Sequence, residues 1–231
     1  MALTAQPNSM LPERHEETAD GAALREQLRH VYWLGGGSGA GKTTIARRIA
    51  AQHGLRLYAT DDVMAEHARR STHEDSPLLH TFLAMDMDER WVNRPPETML
   101  RTFHWFQGEG FHLIIEDLLR LPLEPGVIVE GFRLLPRLVK PLLSVPAQSV
   151  WLLPTPAFRQ AVIESRGGAA SGFLARTTDP ERALRNLLER DRMFTDILRE
   201  ETARLGLPAV EVDATMTEDY LAERLTEGFG L

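Results

Sequence analysis

The sequence predicts a three-layer α/β fold, a mainly parallel five-stranded sheet with helices on both faces. Three observations carry that expectation. Short apolar runs of strand length alternate with stretches of helical periodicity, the order that builds parallel strands through helical crossovers. The first run, Val31-Tyr32-Trp33-Leu34, enters three consecutive glycines, and a helical pattern begins soon after them. Two further runs close on carboxylates, Asp61-Asp62 and Glu130.

In chain order, residues 1–21 lack the basic start and apolar stretch of a secretory signal and read as a solvated, disordered leader. Residues 22–231 suit a single domain with one core. Val31–Leu34 is the first strand. Ile45, Ala46, Ile49 and Ala50 recur at helical spacing and predict a helix over 43–51, stopped by Gly54. Residues 55–60 predict the second strand, 126–130 the third, 147–153 the fourth and 209–212 the fifth. Between the second and third strands, residues 63–122 read as a mostly helical insertion with a turn near Asn93-Arg94-Pro95-Pro96. A long charged helix is expected over 179–205 and a last one over about 217–227.

Composition narrows the class. Apolar residues make up 43% of the 231 and charged residues 26%, as in ordinary soluble domains. No apolar run reaches the length of a membrane span. The chain has no cysteine, which excludes a disulfide framework and thiolate catalysis and suits a reducing cytoplasm. A net charge of −7 argues against a generic nucleic-acid binder. All but Lys42 and Lys140 of the 26 basic residues are arginines, so each lysine calls for a reason. Lys140 reads as a surface residue. His67, His73, His80, His104 and His112 show no paired ligand spacing, and no zinc site is expected.

Lys42 has its reason. Gly36-Gly37-Ser38-Gly39-Ala40-Gly41-Lys42-Thr43 fits G-x-x-x-x-G-K-[ST], with a strand before it and a helix after. Glycines let backbone N–H groups converge on phosphate oxygens with no Cβ in the way. Lys42 would reach the β- and γ-phosphates of ATP, and the Thr43 hydroxyl would bind Mg²⁺. Thr44 belongs to the first turn of the helix, whose free amides and dipole face the same anion. Gly35-x-Gly37-x-x-Ala40, with Asp61 about 20 residues on, also fits a dinucleotide fingerprint. That reading leaves Gly41-Lys42-Thr43 unexplained. Neither lysine stands in Asn-Lys-x-Asp, which excludes a guanine-specific switch of that kind.

Thr60-Asp61-Asp62-Val63-Met64 resembles the strand end of chloramphenicol phosphotransferase, polynucleotide kinase and related small P-loop kinases. Shikimate and gluconate kinases are similar in plan. The resemblance covers the order of elements over most of 30–230, with specific motifs at 36–43, 61–62 and 130–131. It implies a P-loop NTPase fold with strand order 2-3-1-4-5 and transfer of the ATP γ-phosphoryl group to a hydroxyl of a small-molecule acceptor. By this match Asp61 is the general base and can approach the metal, and Asp62 contacts the acceptor or a Mg²⁺-bound water. Read from residues alone, Asp61 can also be a helix cap. Glu130-Gly131 resembles the Glu-Gly or Asp-Asp of uridine-kinase-like relatives. It implies a place beside Mg²⁺ with Thr43, or a substrate contact, where a solvated strand end is the plainer alternative.

The resemblance also implies an arginine-bearing lid after the fourth strand. Residues 166–178 fit, with Arg166 and Arg176 as the first choices for catalytic cations around Gly167-Gly168-Ala169-Ala170-Ser171-Gly172. Arg190 and Arg192 read as part of an exposed helix with Glu–Arg pairing. In the insertion, Phe103, His104, Trp105, Phe106 and Phe111 either cap an acceptor pocket, with Arg94 before them and Arg133 beyond as substrate contacts, or form core. The excess of acids over 61–90 favours a neutral or cationic acceptor. The expectation is thus a cytoplasmic ATP:alcohol phosphotransferase using ATP and Mg²⁺. The alternatives are a polynucleotide 5′-kinase and a slowly hydrolysing regulatory ATP-binding protein.

Overall fold

The computed structural model describes residues 19–231. Helix α1 (Ala19–Gln27) leads into β1 (Val31–Gly36), α2 (Lys42–His53) and β2 (Arg56–Ala59). The helical insertion follows as α3 (Met64–Arg70), α4 (Pro77–Ala84), α5 (Met87–Trp91), α6 (Pro96–Thr102), α7 (His104–Gln107) and α8 (Phe111–Leu119). Then come β3 (Val127–Glu130), α9 (Pro136–Val139), β4 (Ser149–Pro154), α10 (Pro156–Ser165), α11 (Pro180–Leu205), β5 (Ala209–Val212) and α12 (Glu218–Phe229). Most of the leader expected over 1–21 lies outside the described residues. Its last three residues are helical, at the start of α1. Strand β4 begins two residues later than its apolar run, because Pro146–Gln148 form a helical turn. The Gln148 side chain ties that turn by accepting from the Ser144 and Val145 amides. Among the described residues no helix is long and apolar enough to cross a membrane.

All strand pairs are parallel, in the order β2-β3-β1-β4-β5. With a glycine loop joining β1 to α2, this is the P-loop NTPase fold. Successive side chains of a strand face opposite layers, and β1 shows it. Leu34 joins Ile45, Ile49, Leu152, Leu221 and Phe229 under α2 and α12. Trp33 joins Leu28, Ile114, Trp151, Phe194 and Leu198 under α1, α8 and α11. Burying each such side chain contributes roughly 1.5–3 kcal/mol, which is why runs apolar at nearly every position became the central strands. A third cluster, with Trp91, Met99, Leu174 and Leu187, joins the insertion to residue 174 and α11.

Register places the cleft. Leu34 of β1 and Ala59 of β2 both stand opposite Glu130 of β3, so β2 and β3 finish level while β1 runs two residues further into the glycine loop. The Thr60 amide donates to the Glu130 carbonyl at 2.9 Å, and the Gly131 amide to the Leu34 carbonyl at 3.1 Å. Gly131 turns the chain away at φ 151°, and a Cβ there would run into the Thr60 hydroxyl. Only glycine lets these strand ends lie side by side.

Candidate functional site

The glycine loop leaves β1 and enters α2 through Gly41, which sits at φ 81° and provides no side-chain cap. The first amides of α2 therefore have no intrahelical partner and no capping side chain, the arrangement that receives an anion. Lys42 folds back over the loop and donates from Nζ to the Gly37 carbonyl at 2.7 Å. Burial lowers its pKa, while Glu130 and Asp61 pull it back up. Thr43 donates its hydroxyl to Glu130 Oε1 at 2.9 Å, linking the helix start to the end of β3.

A cavity of about 240 Å³ opens above the loop, with Lys42, Thr43, Asp61, Glu130, Arg159 and Arg166 among its lining residues. Glu130 is 2% exposed. Desolvation pushes its carboxyl up against the pull of Lys42 and the Thr43 hydroxyl, with Asp61 and Asp62 pushing the same way as burial. Asp61 lines the cavity and is exposed to solvent there. Desolvation raises its pKa, against the charges of Lys42 and Arg133 and reinforced by Asp62. The helix after Asp61 takes no side-chain cap, so the capping alternative finds no support. A Thr43 hydroxyl already held by a buried carboxylate, with a second raised carboxyl across the cavity, is a donor set that fits Mg²⁺. Among the described residues no cluster of three or more acids and histidines forms a metal cage. A magnesium ion held mainly by phosphates and waters needs none.

The other expected residues divide. Ser38, Gly39, Ala40, Gly41 and Thr44 line the cavity, and Gly36 and Gly37 lead into it. Arg166 reaches it, whereas Arg176 is exposed and lines no cavity described here. Asp62 stands beside the cavity without lining it. Arg94 is turned elsewhere, donating to the carbonyls of Glu89 and Arg90 and to the Thr102 hydroxyl. Those bonds hold the turn between α5 and α6. Arg133 does not line the cavity either. It is 2% exposed, lies 4.0 Å from the Trp105 ring centre, and donates to the Thr60 and Gly110 carbonyls and to His67 Nδ1. Accepting at Nδ1 leaves His67 to donate from Nε2 to Asp117 at 2.8 Å, the neutral form that burial favours. Asp117 also accepts from Tyr58 and Arg70. Arg133 is therefore a brace under the strand end that carries Asp61.

Arg159 and Asp191, which sequence reading passed over, and Arg190, which it put on an exposed face, complete the cleft. A Cβ on Gly39 would lie 3.0 Å from Arg159 Nη1, so this guanidinium rests on the phosphate loop. Its Nε and Nη2 donate to Asp191 Oδ2 at 3.0 and 2.8 Å. Arg190 pairs with the other oxygen, Oδ1, from Nη2 at 2.7 Å. Arg190 is 5% exposed, against the expectation of an exposed Glu–Arg helix face. That expectation holds for Arg192, which pairs with Glu189 and Asp196. Beside the loop, sharing Ser38, Phe132 and Arg159 with it, is a second cavity of about 190 Å³ walled by Trp91, Phe103 and Phe173. The aromatic stretch of the insertion thus both lines a cavity and enters the core. Phe106 lines this cavity and stacks at 3.6 Å on Phe194 in the core. One signal for Arg159 was readable: it lies one turn into the helix after β4, at the carboxyl edge where ligands collect.

Comparison with known proteins gives distant kinase relatives. The chain is 26% identical over 214 residues to 2-phosphoglycerate kinase of Methanopyrus kandleri, covering 86% of this chain and 62% of that protein. It is 26% identical over 219 residues to 2-phosphoglycerate kinase of Methanococcus maripaludis, covering 86% and 65%. It therefore spans less than two thirds of the length of either protein. Adenylate kinase of Deinococcus radiodurans is 28% identical over 208 residues, covering 84% of this chain and 93% of that enzyme. No family model matches.

Proposed function

We propose that the chain is an ATP-dependent phosphotransferase that passes the γ-phosphoryl group to a hydroxyl of a small-molecule acceptor. The observation that carries this reading is the convergence of the phosphate loop, the Thr43–Glu130 bond and Asp61 on one cavity, with a separate aromatic cavity beside it. The kinase relatives support phosphoryl transfer in general. The second cavity, at about 190 Å³, falls below the roughly 300 Å³ from which pockets for drug-sized ligands start. That size favours a small acceptor over a polynucleotide end.

In this reading the loop amides and Lys42 hold the β- and γ-phosphates. Thr43 and Glu130 would hold Mg²⁺, whose charge offsets that on the transferring oxygens. The acceptor oxygen forms its bond to the γ-phosphorus while the bond to the bridging oxygen of ADP breaks, and Asp61 takes the hydroxyl proton. Its raised pKa makes it a better proton acceptor than a fully solvated aspartate. Arg159 and Arg166 stand where charge on the transferred group builds up. Cytoplasmic residence belongs to the same proposal.

The test is release of ADP by the purified protein from ATP and Mg²⁺ against a panel of hydroxyl compounds, with Lys42→Ala as control. The expected outcome is acceptor-dependent ADP release that Lys42→Ala loses together with ATP binding, its fold intact. A folded Lys42→Ala protein with unchanged ATP affinity and turnover overturns the proposal.

A further inference from the structure

Arg190 is the group the proposed chemistry leaves unused. It projects from α11, is 5% exposed and lines the aromatic cavity. Three rings surround its guanidinium, whose carbon lies 4.7 Å from the centre of Phe103, 5.1 Å from Phe106 and 5.2 Å from Trp91. Two of its nitrogens donate to Asp191, while Nη1 is buried with no hydrogen-bond partner. A buried, incompletely satisfied guanidinium is expensive unless something else meets it.

The charge count points the same way. Asp191 is the single carboxylate between Arg159 and Arg190, and it is 2% exposed. Two cations share one anion, and no other ionisable group lines the aromatic cavity. With Asp191 shared, neither arginine is fully neutralised by it: the nucleotide phosphates would answer Arg159, and an anion in the aromatic cavity would answer Arg190. None of the acids over 61–90 lines the aromatic cavity, and Glu66 pairs with Arg70.

We propose that the acceptor is a small molecule with an apolar ring and one anionic group, the ring packed among Phe103, Phe132 and Phe173 and a carboxylate answering the unpartnered nitrogen of Arg190. This reverses the neutral or cationic acceptor expected from acid count. It rests on the phosphotransferase reading only for the word acceptor, because the binding preference is measurable without turnover. Nη1 is the one nitrogen of Arg190 without a partner, so the match is a monoanion. Arg190 is a specificity residue here, and Asp191 holds it in place while also tying it to Arg159 on the phosphate loop.

The probes are 4-(hydroxymethyl)benzoate, its neutral primary amide and the dianionic phosphonate of the same skeleton. Each is titrated by calorimetry into the full chain with Mg²⁺ and a non-hydrolysable ATP analogue, then offered with ATP. The expected result is a carboxylate bound at least about 10-fold more tightly than the amide and more tightly than the phosphonate. Arg190→Met should bring the carboxylate-to-amide ratio to about one, and Arg190→Lys should restore part of it. The Lys variant guards against a general packing defect in Arg190→Met. Equal binding of carboxylate and amide, a preference for the phosphonate, no binding of any probe, or a preference that survives Arg190→Met overturns the proposal. A carboxylate preference that depends on Arg190 without phosphorylation of any acceptor would leave this inference standing and sink the phosphotransferase reading instead.

Discussion

Arg133 and Arg190 are both withdrawn from solvent and both lie against aromatic rings, yet only Arg190 faces a cavity. Arg133 spends its terminal nitrogens on the Thr60 carbonyl, the Gly110 carbonyl and neutral His67. It lines neither cavity described here. Arg190 has a single carboxylate, shared with Arg159, and sits on a cavity wall with Nη1 unpartnered. Burial and an unpartnered nitrogen are common to both, since Arg133 Nε has no partner either; what separates them is position, because Arg190 lines a cavity and Arg133 lies packed beneath the strand end.

The comparison assumes that neither arginine performs the chemistry, so the largest effect should belong elsewhere. Asp61→Asn keeps shape and removes the proton acceptor, and kcat is expected to fall by about 10²–10⁴-fold with ATP affinity nearly intact. Steady-state kinetics with the identified acceptor will measure it. A wild-type rate would move the base to Glu130. Next in size is Arg133→Met, which leaves two buried carbonyls and His67 Nδ1 without their donor. A stability loss of about 2–4 kcal/mol is expected, roughly 5–15 °C in Tm, with the carboxylate-to-amide binding ratio of the folded fraction unchanged. Denaturant unfolding reports the first and calorimetry the second. A variant of normal stability with altered acceptor preference would exchange the two roles.

The same contrast explains what was legible. The sheet side was readable because its information is local. Val31–Gly36, the Gly36–Thr43 loop, Asp61 and Glu130 each stand at a strand end that apolar runs and glycines announce. The helical side was not, since its functional contacts join residues far apart in sequence. Arg159 meets Asp191 across 32 positions, and Arg133 meets His67 across 66. Helical periodicity put Arg190 and Arg192 on one charged helix, and only the packing of α11 against Trp91, Phe103 and Phe106 separates a buried cation from a solvated one. Arg94 and Arg133 donate largely to backbone carbonyls, and no local pattern marks a carbonyl as unpaired.

The smallest predicted effect tests the Arg133 brace through its far end. Burial would raise the Asp117 carboxyl, but hydrogen bonds from Arg70, His67 and Tyr58 outweigh it and hold the pKa at about 2, below the ordinary value of 3.8. A carboxylate depressed on folding contributes stability that is present above its unfolded pKa and lost as pH falls toward the folded one. His67 works in a separate window. Burial lowers its pKa, so below the ordinary value of 6.5 the unfolded chain takes up the proton more readily and stability again falls with pH. The wild type should therefore weaken first below about pH 6.5 and again between about pH 4 and 2. Asp117→Asn should remove the lower of these contributions, about 1–2 kcal/mol once discounted for the carboxyl's partial exposure. Urea midpoints of the two proteins measured at half-unit intervals of pH give the comparison. If the difference between them stays constant from pH 5 to pH 2, Asp117 is not anchoring His67 as a carboxylate, and the support of Arg133 does not run through this chain of bonds.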